Sequence, residues 1–543
     1  MAQSNKQKLE LTWIGKENRP KLEPRILLED PTQSYHAAQR VTDNDIFDNR
    51  LIFGDNLLAL KALEQEFTGK VKCIYIDPPF NTGQAFDHYD DGVEHSIWLS
   101  LMRDRLVILK TLLAPDGSIW VHCDDHEQAY LKVLMDEVFG RDRFVATVVW
   151  QSRYSRSNDA SLSTSHNFIL VYVPEPESWK LRRNRLKRSP EQAQQYKNLD
   201  GDPLGPWRAI PWDAPNLRPN LTYPITNGAG RICMPPEGRC WSRTREQWEE
   251  MVQSGRAYFG KKGDGAPTFK QYLFEAAEIV PNTWWGHEDT GNTDEAKKEG
   301  MKLFGTSDAF ATPKPERLME RILSIASNPN DLVLDSFAGS GTTGAVAHKM
   351  GRRWIMVELG EHIHTHVIPR MKKVIDGTDL GGVTKTTEWG GGGGFRYFRL
   401  ASSLLTEDKW GNWVISKEYN PDMLAEAICK LEGFNYAPSD TIYWQQGYST
   451  ERDFLYITTA HLTSEQLQQL NDEVGAERSL LVLCTAFRGK PDRYPNLTVK
   501  KIPKHVLSRC EWGHDDYSLQ VENLPKAPPK PGQQTLFGEG DGQ

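Results

Sequence analysis

Residues 331–350 read DLVLDSFAGSGTTGAVAHKM. An apolar run of strand type ends in a carboxylate, a turn carrying Gly339 and Gly341 follows, and a segment with helical spacing begins at Thr342. Glycine at such a turn removes the Cβ where backbone must approach a ligand, and the helix start beyond it offers free N–H groups to a carboxylate or phosphate. Glu358 ends the next strand-like run about twenty residues on, where a carboxylate is placed to accept both hydroxyls of a ribose. The segment reads as a nucleotide-binding turn in an α/β sheet. Gly339, Gly341 and Gly344 also satisfy GxGxxG, so on these residues alone a dinucleotide-dependent oxidoreductase stands open, as does a glycine turn with no ligand.

Outward from this turn the same rhythm continues. Residues 315–326 are amphipathic, 332–334 strand-like, 342–350 helical and 354–357 strand-like again. Upstream, strands are expected at 51–53, 71–76, 118–121, 144–150 and 168–173, with helices at 56–67, 97–113 and 127–139. Strands alternating with helices predict an α/β fold with a doubly wound, mostly parallel sheet. From about residue 180 to 300 the alternation fails and Trp, Pro, Gly and Arg dominate, which marks a mixed domain inserted into the α/β unit. The expected organisation is an irregular arm at 1–50, the two α/β halves at 51–180 and 301–400, the insert at 181–300, a smaller C-terminal α/β domain at 401–525, and a disordered Pro- and Gly-rich tail at 526–543.

A chain of 543 residues exceeds one ordinary core, and two to four domains is the expectation. No apolar stretch is long enough for a membrane helix, the start MAQSNKQKLELTW lacks a signal-peptide core, and the seven cysteines form no CxxC pair. A reducing cytoplasm with no membrane partner fits best, and no metal set is read. The formal charge of −8 excludes a protein that is basic all over, so a phosphate backbone must be met by local patches. One is visible in KLRRNRLKR at 180–188, with Lys180, Arg182, Arg183, Arg185, Lys187 and Arg188; on its own it reads equally well as a solvated loop.

Residues 74–83, IYIDPPFNTG, carry the most chemistry. A buried strand ends in Asp77, and two prolines then fix φ and remove N–H donors, so the turn is rigid and its carbonyls are free to accept. Asp77 and the carbonyl of Pro78 are suited to hold the two hydrogens of an exocyclic amine, which points the nitrogen lone pair at an incoming methyl group. Phe80 is suited to stack on a flipped base. The plainer reading is a Pro-Pro turn with an apolar anchor. Upstream of the glycine turn, TPKPERLMERIL at 312–323 places Lys314 and Pro315 before an amphipathic helix, which also fits an ordinary helix start.

DPPF at 77–80 together with DSFAGSG at 335–341 resembles the amino methyltransferases of DNA, and the motif order, catalytic before cofactor, resembles their beta class. FGDNLLAL at 53–60, GSIWVHCDDHE at 117–127, HNFILVY at 166–172, GRCW at 238–241, NTWW at 282–285, GNTDEAKKEG at 291–300 and GGGGFRYFRL at 391–400 are together similar to modification subunits of type III restriction systems. The resemblance implies the Rossmann-like fold of methyltransferases that use S-adenosylmethionine. It implies an adenine pocket of Asp77, Pro78, Pro79 and Phe80, and a cofactor site that also takes in Asp335 and Thr342, in which Phe337, Gly339 and Gly341 wrap the methionine part. Glu358 would take the ribose, Asp55 the cofactor adenine, and Lys314 with Pro315 would close over the carboxylate. Phe80 stands where many relatives have Tyr, so stacking survives while a hydroxyl contact is lost.

The expected function is transfer of a methyl group to N6 of an adenine flipped out of double-stranded DNA, in a restriction-modification or phage-defence system. The insert would recognise the target and the basic run would touch phosphates. The resemblance further implies a homodimer, a restriction subunit as partner, and a bacterial or archaeal, nucleoid-associated location. Cytosine C5 chemistry is excluded because the chain has no Pro-Cys pair. Cytosine N4 uses the same geometry, but those enzymes usually carry Ser where this chain has Asp77; a catalytically inactive DNA-binding subunit is the non-enzymatic alternative. In the tail, QQTLF with Gln533, Leu536 and Phe537 resembles the short peptide by which bacterial proteins dock on a sliding clamp.

Overall fold

Short runs of Val, Ile, Leu and aromatic residues, buried on both faces, build the central sheet of the computed structural model. The structure describes residues 10–80, 95–156, 160–188, 193–198, 200–276, 278–306 and 310–517, with the backbone of two short strands at 85–86 and 89–90. The strands of the central sheet are β1 (Leu27–Glu29), β2 (Tyr35–His36), β3 (Asn49–Phe53), β4 (Val71–Ile76), β5 (Leu113–Cys123), β6 (Phe144–Trp150), β7 (Asn167–Tyr172), β8 (Trp284–Trp285), β9 (Leu332–Asp335), β10 (Arg353–Glu358) and β11 (Gly394–Leu400). Their order is β1-β11-β3-β10-β9-β4-β5-β7-β6-β8, with β2 also on β11. From β11 to β5 every pairing is parallel. β7 runs antiparallel between β5 and β6, and β1 and β2 pair antiparallel with β11.

Helices α1 (Asn56–Phe67), α2 (His95–Leu112) and α3 (Gln128–Phe139) pack as one group. A second group is α5 (Glu316–Ala326), α6 (Thr342–Lys349) and α7 (Ile368–Ile375), and α4 (Thr293–Phe304) precedes it in the chain. This is the expected α/β fold with a mostly parallel sheet. β4 leads through α2 to β5 on one side, whereas β9, its hydrogen-bonded neighbour, leads through α6 to β10 on the other. The chain therefore diverges at the carboxyl ends of β4 and β9, and in open α/β sheets such a divergence opens the crevice where ligands bind.

The arm expected to be irregular contributes β1 and β2. Two or three residues are too few to show a period of two, so they left no pattern to read. The inserted unit spans Arg185–Pro281, tighter than the 181–300 read from composition. It contains an antiparallel sheet of Trp207–Pro211, Thr268–Tyr272 and Ala257–Tyr258, a helix Arg245–Gln253 with a Thr244–Gln247 capping box, and a core of Trp212, Tyr223, Trp241 and Trp248. Residues 282–306, which share its Trp- and Gly-rich character, belong instead to the main unit, where they supply β8 and α4. The C-terminal region also groups with the main unit. Its sheet of Asn435–Tyr436, Gly447–Tyr448, Asp453–Leu462, Ser479–Phe487 and Leu497–Lys501 has its last three strands parallel. Residues 526–543, with Gln533, Leu536 and Phe537, lie outside the described residues. Among the described residues no helix is long and apolar enough to cross a membrane, and no three His, Cys, Asp or Glu side chains gather as a metal set.

Candidate active site

At the end of β4 the turn Asp77-Pro78-Pro79-Phe80 leaves the sheet, its φ angles fixed at both prolines. The Trp98 indole on α2 donates to the Pro79 carbonyl at 2.8 Å and pins the turn from below. Asp77 Oδ2 is ion-paired with Lys314. Oδ1 is buried and has no hydrogen-bond partner among the described residues; His122 Nδ1 lies 3.9 Å from it. Burial pushes the Asp77 carboxyl up from its ordinary value, while the Lys314 ammonium pulls it down.

The neighbouring turn leaves β9. Asp335 accepts from the Phe337 N–H at 2.9 Å and the Thr343 hydroxyl at 2.6 Å. Burial pushes its carboxyl up to about 7, with Asp77 and Glu358 adding to the rise. Gly339 and Gly341 have φ of 52° and 75°, left-handed values that favour glycine. Gly341 caps α6, so the turn ends at a helix N-terminus. Gly344 has a different reason to be glycine: a Cβ there would run into the Met356 thioether, so it sets the close packing of α6 on β10. Glu358, at the end of β10, accepts from the Gly339 N–H at 2.7 Å and from the Leu359 and Gly360 N–H groups at 3.0 Å each. The first glycine turn, the carboxylate on the next strand and the Asp-Pro-Pro turn thus lie at the ends of three consecutive strands, β10, β9 and β4.

Lys314 and Pro315 connect the two turns. The Lys314 ammonium faces Asp77 and not the start of α6, while its backbone carbonyl accepts from Thr342 Oγ1 at 3.2 Å. Thr342 Oγ1 also accepts from Arg370 at 2.8 Å. Pro315 caps α5, and the next residue, Glu316, is buried in contact with Lys349 and Arg370, at 2.8 Å from each. Asp55 is engaged within the protein. Its Oδ1 accepts from the Leu58 N–H at 3.0 Å and caps α1, and its Oδ2 accepts from the Tyr517 N–H at 2.9 Å with Arg105 3.5 Å away.

The unit boundary falls inside the basic run. Lys180 and Arg182 are exposed on a helix, Pro176–Arg182, of the main unit, where Arg182 lies 3.7 Å from Asp116; Arg183 belongs to that unit too. Arg185, Lys187 and Arg188 open the inserted unit. In that unit fourteen Lys and Arg stand against eleven Asp and Glu, although the whole chain carries −8. The insert therefore carries a net charge of +3 and the rest of the chain −11.

Sequence reasoning did not single out His122. It lies on β5, fully buried, with its ring stacked on Phe80 at 5.6 Å and meeting Trp150 edge-on at 5.3 Å. Its Nδ1 is 3.0 Å from the Tyr75 hydroxyl. Phe310 was likewise missed; its ring lies 3.8 Å from where a Cβ on Gly339 would sit. Only the run GSIWVHCDDHE, as a whole, marked the neighbourhood of His122.

Residues 71–368 match a family model described as DNA methylase, which spans both turns and the strands between them. The chain belongs to the DNA methylase family. It is 34% identical over 434 residues to the "Probable type III restriction-modification enzyme HindVI Mod subunit" of Haemophilus influenzae, a match covering 68% of this chain and 56% of that protein. It is 32% identical over 334 residues to the type III restriction-modification enzyme StyLTI Mod subunit of Salmonella typhimurium, covering 56% and 50%. Against the type II methyltransferase M.EcaI of Enterobacter cloacae, identity is 32% over 323 residues, covering 58% and 67%. This methylase chain spans about half the length of the first two relatives.

Proposed function

We propose that this DNA methylase is a site-specific adenine methyltransferase that moves a methyl group from S-adenosylmethionine to N6 of a flipped adenine in double-stranded DNA, within a restriction-modification system. The observation that carries the reading is the buried, unpartnered Oδ1 of Asp77, at the end of a rigid turn beside the glycine turn. A buried carboxylate oxygen without a donor costs free energy unless a ligand supplies one. An exocyclic amine supplies such a hydrogen, and holding it turns the lone pair outward. The Pro78 carbonyl, on the same turn, takes the second hydrogen, and Phe80 stacks on the base.

The residues around the glycine turn suit the methyl donor. Gly339 and Gly341 keep side chains off the turn, and Phe337 and Phe310 flank it. Glu358 offers a carboxylate for ribose hydroxyls, and Asp335, bound by Thr343 and Phe337, fixes the turn from within. When bound, S-adenosylmethionine supplies an electrophilic methyl group. Asp55 serves as a helix cap in this reading and touches the adenosine only if it exchanges the Tyr517 contact. The unit Arg185–Pro281 is assigned to target recognition on its excess of positive charge. A homodimer, a restriction subunit and, through Gln533, Leu536 and Phe537, a sliding clamp complete the proposed partners.

The test is to express the chain alone with a plasmid and sequence the plasmid with base-modification detection. N6-methyladenine at one recurrent site is expected, with none from Asp77→Ala, whose S-adenosylmethionine binding by calorimetry stays intact. N4-methylcytosine would move the acceptor to cytosine. Unmodified plasmid from a folded chain would leave only a DNA-binding subunit.

A further inference from the structure

Near Asp77 lies a second unsatisfied polar atom. Nε2 of His122 is buried and has no hydrogen-bond partner among the described residues. The imidazole is fully enclosed, and burial pushes its pKa well below the ordinary histidine value, so the ring is neutral and carries one proton. The position of that proton is assigned from Tyr75, whose hydroxyl hydrogen takes Nδ1 as its acceptor. Burial pushes the Tyr75 phenol well above its usual value, so the hydroxyl keeps its hydrogen, and Nδ1 of His122, 3.0 Å away, is positioned to accept it. Nδ1 as acceptor leaves the ring proton on Nε2. His122 therefore presents an N–H donor in the same cluster as the unpartnered carboxylate oxygen, with Nδ1 3.9 Å from Asp77 Oδ1. Phe80, stacked on the imidazole, and Trp150, edge-on to it, fix the ring plane.

A lone buried donor costs free energy, and so does a lone buried acceptor; the two in one side-chain cluster fit a ligand that offers an acceptor next to a donor. Adenine has that pattern along one edge, since its N6 amine is flanked by N1 on the ring's Watson–Crick side and by N7 on the other. We infer that His122 Nε2–H donates to a ring nitrogen flanking the amine of the target base, so that His122 and Asp77 together fix the base in its plane. Asp77 then sets where the amine sits, and His122 sets the rotation of the ring about it. This rests on the methyltransferase reading above and adds a specificity-determining residue to it.

The test uses duplexes carrying the mapped target with adenine, 1-deazaadenine or 7-deazaadenine at the methylated position. Each is assayed with wild type and with the double variant Tyr75→Phe/His122→Phe, which keeps both rings in the packing and leaves no orphaned phenol. Wild type is expected to lose about tenfold or more in kcat/KM on one of the two analogues, the size of one buried hydrogen bond. The double variant should lose that amount on adenine itself and show no further loss on the same analogue. Penalties of equal size in wild type and variant on both analogues would overturn the inference. So would a double variant that methylates unmodified target at the wild-type rate. If the double variant fails to fold, His122→Gln, which keeps a donor, is measured on the same three duplexes and must retain the wild-type pattern. Methylation of the adenine duplex by wild type tests the methyltransferase reading separately, because it does not depend on either analogue.

Discussion

The Lys314 ammonium is paired with Oδ2 of Asp77, so the one cation of the TPKP segment sits on the carboxylate of the Asp-Pro-Pro-Phe turn and leaves only Oδ1 of that carboxylate open. The two residues are far apart in sequence, and the pair ties the segment before α5 to the end of β4. Burial alone would keep the Asp77 carboxyl protonated over a wider range of pH, and a protonated carboxyl is a poorer acceptor for an amine hydrogen. Lys314→Met removes the group that lowers the Asp77 pKa. The acid side of the kcat profile should then move toward neutral pH, so the deficit relative to wild type is least at about pH 8 and grows on acidification. A wild-type to variant ratio that is constant across pH would mean that Lys314 does not set the ionisation of Asp77.

Phe80 stands against His122 at 5.6 Å with its ring half-buried. Base stacking on an aromatic ring is worth about 1–3 kcal/mol, so Phe80→Ala should weaken capture of the flipped base by about 5- to 150-fold. Fluorescence of 2-aminopurine at the target position reads flipping directly. An unchanged fluorescence response would place the base elsewhere.

Gly344 lies on α6 where a side chain would enter the Met356 thioether, whereas Gly341 needs its φ of 75°. Gly344→Ala overpacks the contact between α6 and β10 and should destabilise the fold by about 1–3 kcal/mol, tempered by the flexibility of methionine. Met356→Ala opens that space at a cost of its own, so the double variant should lose less in denaturation midpoint than the two single losses added together. An additive double variant would contradict the packing role.

Glu299, on α4, accepts the Glu316 N–H at 3.1 Å and so holds the first turn of α5, which follows Lys314 and Pro315. Burial first, then the Glu316 charge, push its carboxyl up to about 7. The folded state therefore binds a proton that the unfolded chain, with an ordinary carboxyl, releases. This contribution to stability is fully present below the unfolded value of about 4.3 and is lost as pH rises through about 7. Glu299→Gln keeps an acceptor for the Glu316 N–H and cannot ionise, so its Tm should fall less between about pH 5.5 and 8 than that of wild type. Parallel Tm profiles would show that Glu299 does not titrate in that window.

The two turns were legible because each imposes a backbone constraint that few residue types meet. The prolines of residues 78 and 79 and the glycines of 339 and 341 are such constraints, and the runs of strand residues before them gave the alternation. Asp55, which the resemblance assigned to the cofactor adenine, caps α1 through its Leu58 contact; a short polar side chain directly before NLLAL is the signal that marks such a cap. His122 was not legible. Its neighbours Tyr75 and Phe80 reach it only through the parallel register of β4 on β5, and Trp150 reaches it across β7. The end of the insert was misplaced because Trp284 and Trp285 look like the insert in composition, while in the fold they pair with β6.

The basic run offers a test of where phosphates are met, because the unit boundary divides it between Asn184 and Arg185. Lys180 and Arg182 project from the short helix of the main unit, and Arg182 already has Asp116 nearby, whereas Arg185 and Lys187 are exposed at the start of the positively charged insert. If the insert carries the DNA contact, Arg185→Ala/Lys187→Ala removes about two phosphate contacts and lowers the slope of log Kd against log salt by about two. The pair Lys180→Ala/Arg182→Ala serves as the matched control and should leave the slope within about half a unit of wild type. Binding is measured by fluorescence anisotropy on one duplex across a salt series, with a second duplex of unrelated sequence alongside. Equal losses on both duplexes mark backbone contacts, as expected for this run. A slope that falls for the Lys180 and Arg182 pair alone would move the contact to the main unit, and an unchanged slope for both pairs would remove the run from the DNA interface.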